Sequence, residues 1–157
     1  MIVISRAEGD NRADLVTLLR AMASDESPDD SLAANRAEAG LAASRAAFDW
    51  TRSESFWILL AYVEGNPAGY AAVCRIPKAD ERAGFLFVDE LHVLRAYRRR
   101  GVAQALLVRV DELARELGLH GVRLLVRPDN EPARSLYRHA GFEENGTIFC
   151  QKDSAEI

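Results

Sequence analysis

A chain of 157 residues is long enough to close one sizeable core without disulfide or metal staples. Its composition, 48% hydrophobic and 28% charged, excludes wholesale disorder and fibrous architectures. The formal net charge of -4 excludes a partner recognised through an overall basic surface, so any anion site has to be local.

Met1 to Ser5 reads as a short strand, and Asp10 or Asn11 then caps a helix carrying Leu15, Leu18, Leu19 and Met22 at helical spacing. Ser24 to Asp30 reads as an acidic loop with Asp25, Glu26, Asp29 and Asp30, followed by an Ala-rich, weakly amphipathic helix from Leu32 to Phe48. Phe56 to Val63 and Ala68 to Ile76 are apolar runs separated by Gly65-Asn66-Pro67, the pattern of a β-hairpin. A polar turn from Pro77 to Arg82 leads to a strand from Gly84 to Leu94, whose apolar surroundings hold the adjacent acids Asp89 and Glu90.

From Val102, the positions Leu106, Leu107, Val110, Leu113, Ala114 and Leu117 describe one helix face that Gly118 ends. Val122 to Val126 is a short run, apolar apart from Arg123, read as a strand covered on both faces. Glu131 to Ala140 is a last helix with Pro132 in its first turn and Gly141 just past its end, and Phe142 to Cys150 has room for two terminal strands around Gly146. Cys74 and Cys150 stand alone, no apolar run is long enough to span a bilayer, and the chain opens without a signal-like core, so a cytoplasmic protein is expected.

The segment with most chemical content is Leu91 to Ala103, which crowds Arg95, Arg98, Arg99 and Arg100 before the strongest helix. The macrodipole disfavours cations at a helix N-terminus by ~0.3–1 kcal/mol each. An anion resting on first-turn N–H groups, beside Gly101 and the arginines, would compensate; a pyrophosphate suits the cradle. The competing reading is a solvated basic loop. The segment has neither the Walker lysine pattern nor the three-glycine dinucleotide fingerprint.

Arg98-Arg-Arg-Gly101-Val-Ala103 resembles the coenzyme-A pyrophosphate loop, Gln/Arg-x-x-Gly-x-Gly/Ala, of the GCN5-related N-acetyltransferases (GNAT), and Asn130-Glu-Pro-Ala-Arg-Ser-Leu-Tyr137-Arg-His-Ala-Gly141-Phe142 resembles that family's second signature. The resemblance covers the whole chain and is strongest from Val88 to Phe142. It implies an α/β (α+β mixed) GNAT fold: a central mixed, mostly antiparallel twisted sheet of about six to seven strands flanked by about four helices, in a single acetyltransferase domain over 1–157.

Carried over residue by residue, the resemblance implies acetyl-CoA as donor. Arg98, Arg99, Arg100, Gly101, Val102, Ala103 and Gln104 would hold its pyrophosphate, and the backbone of Leu91, His92 and Val93 would pair with its pantetheine arm. Ala103 stands where a second glycine is common. Asn130 would reach the cofactor, with helix N-capping as its competing role. Arg134 is a weaker cofactor residue, and Tyr137 would sit by the sulfur and protonate the departing thiolate, with core packing as its alternative.

A protonated amine cannot attack a thioester, so Glu90 or Asp89 would hold the cation or take its proton; adjacent on a strand, they should point to opposite faces unless a β-bulge intervenes. Either acid could instead pair with an arginine, and His92 could be purely structural. The expected acceptor is a small cationic amine, because Asp25, Glu26, Asp29 and Asp30 lie where relatives border the acceptor. A protein lysine or N-terminal amine is the alternative acceptor, and a non-catalytic acyl-CoA-binding module the alternative class. No metal, nucleic acid or membrane partner is expected, and a homodimer is left open.

Overall fold

The computed structural model describes residues 1–154. It divides into two compact units, Met1–Leu125 and Val126–Ile157. The first is built on a five-stranded sheet of β1 (Ile2–Arg6), β2 (Phe56–Val63), β3 (Asn66–Ile76), β4 (Phe85–Val93) and β5 (Gly121–Leu124), in that spatial order. Pairings β1–β2, β2–β3 and β3–β4 are antiparallel, and β4–β5 is parallel, its crossover supplied by helix α3 (Val102–Glu116). Helices α1 (Arg12–Glu26) and α2 (Ala33–Ala47) lie between β1 and β2 in sequence.

Period-two alternation divides the strand side chains between two cores. On one face Leu59, Ala61, Ala71, Val73, Leu86 and Val88 pack with Val102, Leu106 and Val110 of α3. On the other, Ile58, Leu60, Tyr70 and Ala72 pack with Leu15, Leu18 and Met22 of α1 and Leu41 of α2. The weak amphipathicity read for the second helix is realised: only Ala33 and Leu41 of α2 are buried.

Pairing of β3 with β4 slips by one residue between Ala72/Val73, which face Glu90 and Val88 respectively, so Asp89 is an extra residue in β4. Before the bulge Leu86 and Val88 face α3; after it Leu91 and Val93 do. The bulge therefore keeps apolar residues on the α3 core and puts Glu90 and His92 on the opposite face.

Several expectations are corrected. Among the described residues, Phe142 to Cys150 contains no strand, so the sheet has five strands where six or seven were expected. The run Val122 to Val126 yields only Gly121–Leu124 as strand; Val122 and Leu124 pack on the α3 core, while Arg123 and Leu125 are exposed. Ser24 to Glu26 belong to α1 and not to the loop after it. Asn11 holds the N-cap position without a side-chain bond to the helix; its amide instead accepts from Glu8 N at 2.7 Å and donates to Arg6 O at 2.8 Å, tying β1 to the helix start.

The second unit holds α4 (Glu131–His139). No helix among the described residues is long and apolar enough to cross a membrane.

Strands β3 and β4 leave no room at Gly69, where an added Cβ would lie 2.5 Å from His92 O and 3.2 Å from Val93 Cα. Backbone cannot rotate away as a side chain can. Gly69→Ala should therefore destabilise the protein by about 1–3 kcal/mol, read as a lower urea midpoint with an unchanged slope; an unchanged midpoint would show that the strands separate freely there.

Candidate active site

β4 ends at Val93, and the chain turns through a short 3₁₀ segment, Arg95–Tyr97, into Gly101 and α3. Gly101 has φ +80°, a conformation glycine adopts without strain, and Arg99 is also left-handed at φ +61°. These reversals open the first turn of the helix. The earliest bond accepted from α3 is Ala105 N to Gly101 O at 3.0 Å, and among the described residues the N–H groups of residues 99 to 104 donate to no protein acceptor. No acidic residue stands in the first turn of α3. Free donors, a positive helix end and exposed arginines thus converge at one place.

The arginines differ in their duties. Arg98 donates from Nε to Val93 O at 3.1 Å, pinning the loop to the strand end, while Arg100 lies over the Tyr97 ring at 5.4 Å. Among the described residues Arg95, Arg98, Arg99 and Arg100 form no ion pair; the nearby acid Asp25 accepts from the backbone N–H of Arg95 at 3.3 Å.

Parallel pairing of β4 with β5 stops at Val88 opposite Leu124. Among the described residues, Glu90 to Val93 therefore have a strand partner only in β3. The backbone of Leu91, His92 and Val93 is left with one free edge, next to the turn that carries the open N–H groups.

On the α1 side of the sheet the acidic residues gather. Tyr70, 6% exposed, donates its hydroxyl to Glu90 Oε2 at 2.9 Å, and its ring stacks on His92 with centroids 5.8 Å apart. Glu26 of α1 lies 3.9 Å from His92 Nδ1. Burial pushes the Tyr70 hydroxyl well above its ordinary pKa, and the charges of Glu90, Glu26 and Asp89 push it further. Burial and Asp89 also raise the Cys74 thiol. The extra residue at Asp89 breaks the alternation on which opposite faces for the acidic pair were expected, the exception that a β-bulge allows. Asp30 instead pairs with Arg36.

Tyr70 was hidden in the sequence within an apolar run. Its antiparallel register opposite His92 is what marks it as part of the site.

In the second unit Asn130 takes its capping role, its Oδ1 accepting from Ala133 N at 3.2 Å. Arg134 is held by Glu144 through Nε and Nη2, at 2.9 and 2.7 Å, and donates from Nη1 to Pro128 O at 2.9 Å. Its fork is thus committed within the protein, which leaves little of it for a cofactor. Tyr137 is half-buried, its ring edge-on to Phe142 at 5.9 Å; burial raises its pKa, and its hydroxyl makes no hydrogen bond among the described residues.

Arg134 and Arg138 pull the carboxyl of Glu144 down to about 2. Its ion pairs favour the folded state above the ordinary carboxylate range, and that contribution fades as pH falls toward 2. Carbon-detected NMR titration should find Glu144 titrating near the bottom of the accessible range, and Arg134→Gln should move it upward; a carboxyl titrating in the ordinary range in the unmodified chain would discard the pairing.

The Acetyltransferase (GNAT) family profile matches residues 19–142. An uncharacterized N-acetyltransferase of Bacillus subtilis strain 168, YycN, is 27% identical over 89 residues, 57% of this chain and 56% of the relative. The chain matches about half or less of the length of its curated relatives. Among solved structures, an aminoglycoside acetyltransferase from an uncultured soil metagenomic sample superposes with a TM-score of 0.76 at 22% identity, covering 98% of this chain and 99% of that one. AAC(6')-Iy, in complex with the bisubstrate analog CoA-S-monomethyl-acetylneamine, gives 0.74 at 20% identity with the same coverage.

Proposed function

The chain belongs to the GNAT acetyltransferase family, and from that premise we propose that it transfers an acetyl group from acetyl-coenzyme A to the amine of a small cationic molecule. The observation that carries the donor assignment is the run of free N–H groups at residues 99 to 104, set among unpaired arginines. Such a cradle suits a pyrophosphate, which multiplies charge-assisted bonds to backbone donors and guanidinium groups. The free edge of Leu91 to Val93 suits an extended amide-bearing arm, accepted as an added strand.

The acceptor assignment rests on the carboxylates of the α1 face. Glu26, Asp89 and Glu90 lie around Tyr70 and His92 with no arginine or lysine paired to them among the described residues, so they attract a cationic amine and lower its desolvation cost. The small-amine reading also draws support from the aminoglycoside acetyltransferases that share the fold.

Acetyl-coenzyme A supplies the activated thioester. Glu90 accepts the amine's first proton, with Asp89 as the neighbouring acid, the freed nitrogen forms its bond to the acetyl carbon as the carbon–sulfur bond breaks, and the second proton it loses on becoming an amide passes to solvent. Tyr137 donates its phenolic proton to the leaving sulfur and regains one from solvent. The raised pKa of Tyr137 keeps that proton in place at neutral pH. No covalent enzyme intermediate is required, and the raised Cys74 thiol is a poor nucleophile.

Gly101→Asp should abolish acetyl-coenzyme-A binding in calorimetry, since it places a Cβ at φ +80° and a negative charge against the cradle. Undiminished affinity in a folded variant would remove the donor assignment.

Tyr137→Phe should lower turnover by ~10²–10⁴ while changing acetyl-coenzyme-A affinity little, because general-acid assistance outweighs one neutral hydrogen bond. The check is single-turnover kinetics with a polyamine or aminoglycoside acceptor, alongside calorimetry. A near-normal chemical step would return Tyr137 to a packing role and leave water as the proton source.

A further inference from the structure

A second concentration of positive charge lies at the opposite end of β4. Lys78, Arg82, Ala83, Phe85, His120 and Arg123 line a cavity of about 380 Å³. Eight residues of strand put it roughly 25 Å from Val93 and the arginine loop, so it is not an extension of the 99–104 cradle.

Its side chains come from three places in the chain and meet on one ring. Arg123 of β5 stacks its guanidinium over Phe85 at 3.5 Å from the centroid, Lys78 reaches the same ring at 5.8 Å, and His120 packs edge-on at 5.1 Å. The backbone fixes this arrangement: Phe85 pairs with Gly121 in the parallel register, and His120 N donates to Gly84 O at 2.8 Å. Gly84 is itself crowded, since a Cβ there would meet Ile76 O at 2.2 Å.

The electrostatics of the cavity are one-sided. Among the described residues only Arg82 has a carboxylate partner, Asp80 at 2.8 Å, and Asp80 does not line the cavity. Among the described residues Lys78 and Arg123 pair with no acid and donate no hydrogen bond. A phenyl face attracts the cations but leaves their N–H donors free. In a chain of net charge -4, cations held together in this way repel one another unless an anion lies between them.

We propose that this cavity is an oxyanion-binding site that takes a phosphate-class dianion. Asp80 offsets Arg82, and the two charges left on Lys78 and Arg123 exceed what one monocarboxylate balances, whereas a phosphate group carries about -1.5 to -2 at neutral pH with several acceptor oxygens. The stacked guanidinium of Arg123 offers its free edge for a bidentate contact, and Lys78 supplies a point charge from the other strand connection. The site goes beyond the acetyl-transfer reading and does not depend on it.

The test is amide NMR of the full chain, titrated separately with inorganic phosphate and with phosphoserine. Saturable shifts at Phe85, Gly121 and Arg123 are expected with at least one, and the tighter of the two identifies a free ion or a phosphorylated small molecule as the better ligand. Lys78→Gln combined with Arg123→Gln should weaken the response at least about tenfold, with Lys78→Gln alone giving part of that loss. Gly101→Asp should leave these shifts intact, separating the cavity from the loop. Shifts confined to residues 98–104, or cavity shifts that survive in the double variant with its spectrum otherwise preserved, would overturn the assignment.

Discussion

A β-strand alternates strictly, and β4 escapes the consequence of that rule through one inserted residue. Without Asp89 as a bulge, the even positions 86, 88, 90 and 92 would share a face, and Glu90 would be driven with Leu86 and Val88 into the packing against α3. An unpaired carboxylate in that core would cost several kcal/mol or lose its charge. The slip instead hands the apolar role to Leu91 and Val93 and leaves Glu90 and His92 against Tyr70. The acidic face, the close approach at Gly69 and the direction in which the chain leaves β4 all follow from this register.

Charge is then sorted along a single strand. Carboxylates collect on the α1 face in the middle of β4, arginines follow its C-terminal end, and a further set of cations surrounds its first residue. The separation keeps Asp89 and Glu90 out of ion pairs with the arginines among the described residues, and Arg98 spends its Nε on Val93 O.

Much of this was legible in the residues. Apolar spacing located α1 and α3, apolar runs located β2, β3 and β4, and Pro132 with Gly141 bracketed α4, while the arginines crowding an N-terminus singled out the turn before α3. The bulge was legible only as a change of phase, with Leu86 and Val88 on even positions and Leu91 and Val93 on odd ones, and alternation alone misassigned the acidic pair. Tyr70 could not be found by pattern, because a buried tyrosine in an apolar run differs from a packing residue only in what its hydroxyl meets across the sheet. Arg134 was ambiguous in a different way: its motif position suggested a ligand, while Glu144, which takes up its fork, lies in a segment read as strand. Turn and strand preferences between residues 142 and 150 were too weak to settle local structure without knowledge of long-range pairing.

The order of the strands also bears on how the chain reaches this structure. β2, β3 and β4 form a meander of neighbours in sequence, residues 56–93, whose pairings close only short loops. β1 has to wait for closure of the segment containing α1 and α2, and β5 for the α3 crossover. Loop-closure entropy therefore favours the meander as the earliest organised piece of the sheet. The bulge and Tyr70 belong to that piece, whereas the arginine loop acquires its shape only when α3 docks. The carboxylate face and the arginine turn would thus be assembled at different stages of folding, acids first and cations second.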